Sequence, residues 1–285
     1  MKIAILLFLQ LLVAPLPLLA DDSDIDIGGT SITIPSPDGF LPVTGNMVMV
    51  NQFLENLVVP QNIRFISFIP EQALPAVQRG EMPDLTHNLS VQTAKEVVSA
   101  TVTKADFEQF KKLMRAQNEE LVKKMEKESP DIMDKINKGI ENQFNTKPDF
   151  NLNGVIMLPP HDENDRLFAF SCYVNLSAKT RDGTPTNFIG AVTATCLFAK
   201  AKVFYIYING ASGELKWTRQ VAKDWAAAIL AANPFDSATA AKESVSSSSF
   251  NWNRVLSSAL IGGIVGGLFG LIRYLFRREK TTSPD

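Results

Sequence analysis

Apolar residues are distributed along this chain in three patterns, and each pattern predicts a different kind of segment. Residues 3–20 and 255–272 are almost uninterrupted apolar runs. Between them, some stretches place apolar residues at every third or fourth position, which is typical of a helix with one buried face. Other stretches alternate apolar with polar residues, which is typical of a half-buried strand. The chain therefore divides into a globular middle and two flanking apolar segments.

The globular middle predicts an α+β domain in which an antiparallel sheet is flanked by helices. Thr103 and Asp106 have the spacing of a capping box, so a helix is predicted to begin after Thr103. A second helix is predicted to begin at Ser129-Pro130, because proline is favoured in the first turn. Further helices are predicted over 46–57 and 217–232, and strands over 31–35, 63–69, 89–93, 155–158, 167–177, 188–199 and 203–209.

The first apolar run has the parts of a secretory signal. Lys2 precedes the run, Ala20 ends it with a small residue, and acidic residues follow. Pro15 and Pro17 would break a membrane-spanning helix. Residues 1–20 are therefore predicted to be a cleaved signal peptide, and an uncleaved signal anchor is the alternative.

The second apolar run predicts a membrane anchor. Its eighteen residues, 255–272, carry no charge. A helix of that length spans about 27 Å, close to the roughly 30 Å of a bilayer core. Residues 254–276 are therefore predicted to be a transmembrane helix, and the positive residues after the span place the basic tail 277–285 in the cytoplasm. The predicted membrane-interface residues are Trp252, Arg273, Tyr274, Arg277, Arg278 and Lys280.

Small residues recur at intervals of four within the predicted membrane helix. This spacing lets two helix backbones approach closely in lipid, so it predicts self-association or pairing with another helix. The alternative is the general enrichment of glycine in membrane helices. The predicted packing residues form two rows, Ser258, Gly262, Gly266 and Gly270 in one and Ala259, Gly263 and Gly267 in the other.

The composition of the 285 residues is that of an ordinary globular protein, with 45% hydrophobic residues, 20% charged residues and a net charge of −2. This near-neutral charge gives no electrostatic basis for binding nucleic acid. The folded domain is predicted over 21–234, followed by a flexible linker rich in serine and alanine over 235–253. Lysine pairs such as Lys111-Lys112 are interleaved with glutamate and are interpreted as a solvated helix face.

Two cysteines lie in neighbouring predicted strands. If the hairpin between these strands is symmetric about position 184, Cys172 faces Cys196 directly. Opposed residues on antiparallel strands lie within reach of a disulfide, and an exported domain meets an oxidising environment. A disulfide between Cys172 and Cys196 is therefore predicted, and two buried free thiols are the alternative.

No catalytic, metal or cofactor motif occurs in the chain, so no catalytic residue, metal ligand or cofactor is predicted. The polar cluster 161–165, His-Asp-Glu-Asn-Asp, has side chains that can hold a cation, but its position after two prolines favours a solvated turn. The two histidines, His87 and His161, with Ser171 are the candidates for a hidden hydrolytic site.

The strand 31–35 is followed by Gly39-Phe40, the late antiparallel strands end at 204–209, and the final helix contains tryptophan. These elements give the chain a resemblance to the Mog1/PsbP-type domains. It covers about 25–233, and the helical part 103–144 departs from it. The resemblance implies an antiparallel sheet flanked by helices, a fold common in exported binding modules, and it carries over no functional residue.

Together these patterns predict a single-pass protein of the bacterial cytoplasmic membrane, with its N-terminal domain in the periplasm and its C-terminus in the cytoplasm. We expect the domain to bind a protein or another envelope component, and the expected partners are the lipid bilayer and a protein or second copy that pairs with the membrane helix. The alternative function is a membrane-tethered enzyme, similar to a hydrolase, outside the cytoplasm.

Overall fold

The computed structural model describes residues 22–116, 118–145, 147–179 and 185–235, together with Val255 and Gly262. The strands are β1 (Ser23–Asp26), β2 (Ser31–Ile34), β3 (Phe40–Pro42), β4 (Asn62–Pro70), β5 (Asn88–Ala94), β6 (Asn151–Met157), β7 (Asp162–Glu163), β8 (Leu167–Lys179), β9 (Pro185–Ala199) and β10 (Lys202–Ala211). The helices are α1 (Val48–Asn56), α2 (Leu74–Gln78), α3 (Lys104–Ala116), α4 (Asn118–Phe144) and α5 (Leu215–Ala232), with short 3-10 turns at Glu71–Ala73 and Ser212–Glu214.

Eight strands form one antiparallel sheet in the order β3-β4-β5-β10-β9-β8-β6, with β7 pairing beside β6 on β8. Strands β1 and β2 form a separate antiparallel hairpin. Helices cover both faces of the large sheet. The mixed α+β architecture and the antiparallel pairing predicted from the sequence are therefore confirmed.

One face of the sheet packs against α5 and the β1–β2 hairpin, and we call it the α5 face. Trp225 of α5 is buried there, with its ring edge-on to Phe68 and its Nε1–H donating to the Pro35 carbonyl at 2.8 Å. The Arg166 guanidinium donates to the carbonyls of Leu230 and Asn233 and so satisfies the end of α5. These contacts fix the position of α5 over β8, β9 and β10.

The opposite face packs against α1, α3 and α4, and we call it the tyrosine face because Tyr205 and Tyr207 are buried at its centre. The predicted capping box at the start of α3 is present. The Asp106 backbone N–H donates to Thr103 Oγ1 at 3.1 Å, and the Thr103 backbone N–H donates to the Asp106 carboxylate at 2.9 Å.

The helix predicted to begin at Ser129-Pro130 does not begin there, because α4 runs through Pro130 from Asn118 to Phe144. A proline inside a helix has no N–H for the carbonyl four residues earlier, which here belongs to Glu126. The Ser129 hydroxyl donates to that carbonyl instead, at 3.1 Å. The serine thus compensates locally for the proline, and the helix continues.

The predicted disulfide is wrong, because β8 and β9 pair in a different register. Cys172 faces Val192 and Cys196 faces Phe168, so the hairpin is centred on position 182 and not on 184. Four strand residues separate the two cysteines along the sheet, about 13 Å at the usual rise per residue. Both are buried free thiols. Burial raises the pKa of the Cys172 thiol to about 12 and that of Cys196 well above its ordinary value.

The two predicted flanking segments contribute little to the described structure. The predicted signal peptide lies outside the described residues, and so does the predicted membrane helix except for Val255 and Gly262. None of the helices within the described residues combines the length and the apolar character needed to cross a membrane.

Candidate functional site

A cavity of about 400 Å³ lies on the α5 face, between α5 and the strands β8 and β9. Its apolar lining consists of small and aliphatic side chains of the sheet and of α5. Its polar lining comes from α5, from β9 and from the β7 edge. The polar lining residues are His161, Asp162, Thr195, Lys216, Arg219, Gln220 and Lys223.

Three cationic side chains of α5 line this cavity. Lys216, Arg219 and Lys223 follow one another at intervals of three and four residues, which places them along one side of the helix. Among the described residues none of the three makes an ion pair. Asp162 is the one carboxylate in the lining, so cationic groups outnumber anionic ones in the cavity.

A chain of buried hydroxyl groups orients the Arg219 guanidinium. Its Nε–H donates to Ser171 Oγ at 3.2 Å, and Ser171 Oγ lies 3.0 Å from Thr193 Oγ1. Thr193 Oγ1 lies 2.8 Å from Thr218 Oγ1, which donates to the Leu215 carbonyl. Because the Thr218 hydroxyl donates its proton to that carbonyl, Thr193 donates to Thr218 and Ser171 donates to Thr193. The Ser171 oxygen is then left to accept from the Arg219 guanidinium.

Two buried polar atoms at the cavity have no hydrogen-bond partner among the described residues, Thr195 Oγ1 and His161 Nδ1. The two residues lie on either side of β8. The His161 backbone N–H donates to the carbonyl of Ala169, and Ala169 faces Thr195 in the β8–β9 register. A buried hydroxyl without a partner costs free energy, so this pair leaves hydrogen-bonding capacity open to a bound molecule.

The His161 imidazole is held in its neutral form. Burial is the largest cause that lowers its pKa from the ordinary 6.5, and the positive charge of Arg219 lowers it further, while Asp162 acts in the opposite direction. At neutral pH, His161 therefore presents one donor and one acceptor to the cavity and adds no charge.

The predicted polar turn 161–165 is divided between two roles. Asp165 pairs with Lys104 at 2.5 Å, and Glu163 pairs with Arg115, so the acidic side chains hold α3. Among the described residues there is no group of three or more side chains suited to a metal ion. Only the start of the turn, His161 and Asp162, lines the cavity.

Lys111 does not lie on a solvated face as the sequence pattern suggested. It is buried, and its Nζ donates to the Asn164 carbonyl at 2.9 Å and pairs with Glu108 at 2.6 Å. The sequence pattern misassigned this lysine because its partner carbonyl lies in a distant turn.

The other sequence candidates do not gather into a hydrolytic site. His87 lies away from the cavity, where its Nε2 is 2.8 Å from Glu214 Oε2 and its ring packs on Trp217. Ser171 is fully buried, and its hydrogen-bond partners among the described residues are Thr193 and Arg219, with no histidine among them. Of the predicted membrane-packing residues, only Gly262 is among the described residues, and all the predicted membrane-interface residues lie outside them.

Sequence reasoning missed the cavity, although one signal was available. Helix α5 carries Lys216, Arg219 and Lys223 at helical spacing beside an apolar stripe. Such a row is usually a solvated face, and only the sheet partners distinguish it from a binding surface. The geometry favours binding of an anion, because clustered cations, an oriented guanidinium and open polar groups converge on one concave surface.

No protein-family model matches this chain, and no curated protein matches it. Comparison with solved structures finds the solution structure of cyanobacterial PsbP (CyanoP) from Synechocystis sp. PCC 6803, at 10% sequence identity and a TM-score of 0.30. The match covers 75% of this chain and 94% of that chain. The resemblance to PsbP-type domains is thus present as a weak likeness of fold, and it assigns no function.

Proposed function

We propose that this chain is a membrane-anchored envelope protein whose α+β domain binds a small organic anion in the α5 cavity. The observation that carries the binding proposal is a set of three cations, Lys216, Arg219 and Lys223, around the buried Thr195 hydroxyl. Among the described residues the cations have no ion pair and the hydroxyl has no hydrogen-bond partner. A protein gains nothing in stability from like charges placed side by side, whereas a bound anion would neutralise them.

The lining defines the chemical class of the ligand. The guanidinium of Arg219 suits a carboxylate or phosphate group, which it can bind through its terminal N–H groups while Nε–H stays on Ser171. The aliphatic lining, including Leu167 and Leu215, suits an apolar group attached to the anion. The proposed ligand is therefore a carboxylate or phosphate monoester that carries a small apolar group.

Membrane anchoring is supported by the sequence. The uncharged run at 255–272 has the length of a bilayer core, and the apolar run at 3–20 has the parts of an export signal. We propose a single pass through the bacterial cytoplasmic membrane, with the domain in the periplasm and the tail 277–285 in the cytoplasm. The small-residue rows around Gly266 support pairing of the helix with a second copy or with another membrane protein.

The binding proposal is tested by thermal unfolding of the purified full-length protein against a panel of carboxylates and phosphate monoesters of increasing apolar size. A ligand of the proposed class raises the unfolding temperature in proportion to the logarithm of its concentration. The variant Arg219→Gln should lose this shift, while Arg79→Gln, which changes an exposed arginine that pairs with Glu81, should keep it. Equal shifts in both variants would exclude the cavity as the binding site.

The anchoring proposal is tested separately. In cell fractionation the protein should stay in the membrane fraction after carbonate extraction. A protease added to the outside of spheroplasts should digest the domain and leave the tail intact. The change Gly266→Leu should lower the oligomeric state measured in mild detergent, because a bulky side chain separates the helix backbones. An unchanged oligomeric state would contradict the pairing.

A membrane-tethered enzyme, hydrolase-like, is the second candidate. The observation that favours it is a neutral, half-buried imidazole, that of His161, in the same cavity as Arg219. Such an imidazole can act as a general base toward water, with the arginine binding an anionic ester. The test is hydrolysis of phosphate and carboxylate esters by the wild type and by His161→Gln, and equal rates would end this candidate.

A further inference from the structure

Two residues of the C-terminal apolar segment lie against the tyrosine face of the sheet. Val255 is helical and fully buried, and its carbonyl accepts a hydrogen bond from the Tyr205 hydroxyl at 3.2 Å. Gly262 is helical too, and a Cβ built on it would lie 2.5 Å from Asn62 Nδ2 and 2.8 Å from Tyr207 Oη. Seven positions correspond to about two turns of an ideal helix, a spacing that brings two residues to the same side.

The receiving surface is specific to a helix with small side chains. Tyr205 and Tyr207 are 1% and 0% exposed, and their ring centroids lie 6.1 Å apart. Next to Tyr207, the Asn62 amide donates to Gln92 Oε1 at 3.0 Å. This surface offers hydroxyl and amide groups to a helix backbone, and any side chain at the position of Gly262 would have to displace the Asn62 amide and the Tyr207 hydroxyl.

We propose that the tyrosine face is a docking site for the chain's own C-terminal apolar segment, and that the segment occupies either this site or the lipid bilayer. Docking is supported by contacts within the chain, at Val255 and at Gly262. Only the competition with the bilayer rests on the proposed anchoring. The proposal is independent of the anion cavity, which lies on the opposite face of the sheet.

The two locations exclude each other because they use the same residues. A bilayer core of roughly 30 Å requires nearly the whole of 255–272 to span it. Val255 and Gly262 cannot then contact Tyr205 and Tyr207. Leaving the docking site therefore uncovers both tyrosine hydroxyls, which gives each location a distinct chemical signature.

The test measures acetylation of tyrosine hydroxyls by N-acetylimidazole, read residue by residue with mass spectrometry. The full-length protein is used in buffer without lipid or detergent, and half-buried Tyr173 on β8 is the internal reference. Tyr205 and Tyr207 should react far more slowly than Tyr173. In Gly262→Leu both should react at least about tenfold faster, because the leucine side chain prevents docking while it favours insertion into a bilayer.

The matched control is Gly263→Leu. This change raises hydrophobicity by the same amount, but at a position that an ideal helix places about 100° away from residue 262. It should therefore leave Tyr205 and Tyr207 protected. A faster reaction of Tyr173 would reveal general unfolding, and Gly262→Ala is then the milder variant, since its Cβ alone meets the receiving surface. Unprotected tyrosines in the wild type, a chain insoluble without detergent, or equal behaviour of both leucine variants would overturn docking.

Two further measurements test whether the docked segment belongs to the same chain and whether a lipid bilayer competes for it. Protection should be independent of protein concentration, and its loss on dilution would assign the segment to a second copy and overturn the assignment within one chain. Added vesicles of phosphatidylethanolamine and phosphatidylglycerol should speed the acetylation of Tyr205 and Tyr207 as the protein binds. Binding through the apolar segment with both tyrosines still protected would overturn the exclusive choice between the two locations.

Discussion

Two threonines on β9 should respond to the same substitution with opposite signs. Thr193 and Thr195 lie two residues apart on the α5 face and are 0% and 1% exposed. The Thr193 hydroxyl lies within hydrogen-bonding distance of Ser171 and Thr218, whereas the Thr195 hydroxyl has no partner among the described residues. Valine keeps the branched shape in both positions and removes only the hydroxyl.

The magnitudes follow from the hydrogen bonds. A buried hydroxyl without a partner costs about 1–3 kcal/mol, so Thr195→Val should raise the free energy of unfolding by roughly 1 kcal/mol. Thr193→Val leaves the Ser171 hydroxyl without its acceptor and should lower that free energy by about 1–3 kcal/mol. In a domain of this size, 1 kcal/mol corresponds to about 2–4 °C in the unfolding temperature.

The assay is urea unfolding of the wild type and the two variants. Their free energies of unfolding are compared provided that the m-value, the slope against urea concentration, is the same in all three. A ligand that binds through Thr195 should at the same time bind Thr195→Val more weakly, so that stability and affinity change in opposite directions. Destabilisation of Thr195→Val by as much as Thr193→Val would refute the reasoning, because it would show that the Thr195 hydroxyl is already satisfied and is not open to a ligand.

Three further predictions concern Arg219 and His161 in the cavity and Lys202 on β10. Arg219→Gln should weaken anion binding about tenfold or more, since charge-assisted hydrogen bonds contribute roughly 1.5–3 kcal/mol, and calorimetry on this variant and on Arg79→Gln checks it. The free energy of unfolding should fall as the pH drops from 6.5 toward the lowered folded-state pKa of His161, because the unfolded chain binds the proton first; pH-dependent urea unfolding should show this part missing in His161→Gln. Lys202→Met should cost about 3 kcal/mol or more, because the Lys202 ammonium donates to three carbonyls at 3.0–3.3 Å, and a loss under about 1 kcal/mol in denaturant unfolding would contradict this.

Local chemistry made several elements predictable. Thr103 and Asp106 mark the start of α3 because a capping box satisfies the first backbone N–H groups with side chains three residues apart. Pro130 misled the prediction because proline occurs both at helix starts and, with compensation, inside helices. The compensation here is a single hydrogen bond from the Ser129 hydroxyl to the Glu126 carbonyl, and no sequence pattern predicts it.

The register of β8 and β9 shows a second limit. Alternation of apolar and polar residues identifies which side chains share a face, and Cys172 and Cys196 do lie on the tyrosine face as predicted. A shift of the partner by an even number of residues leaves every side chain on the same face, so the hydrophobic pattern cannot distinguish such registers. The shift of four decided that no disulfide forms.

The sequence by itself determined the order of the longer strands and helices, the alternation that gives the sheet two buried faces, and the two apolar flanks, because periodicity and capping act over a few residues. It missed the short elements β1, β3, β7 and α2. The tertiary structure alone decided the register and the cavity, whose polar groups His161, Thr195 and Arg219 come from three distant parts of the chain. It also placed Val255 and Gly262 on the tyrosine face. Contacts between distant segments depend on how elements pack, and no local pattern encodes them.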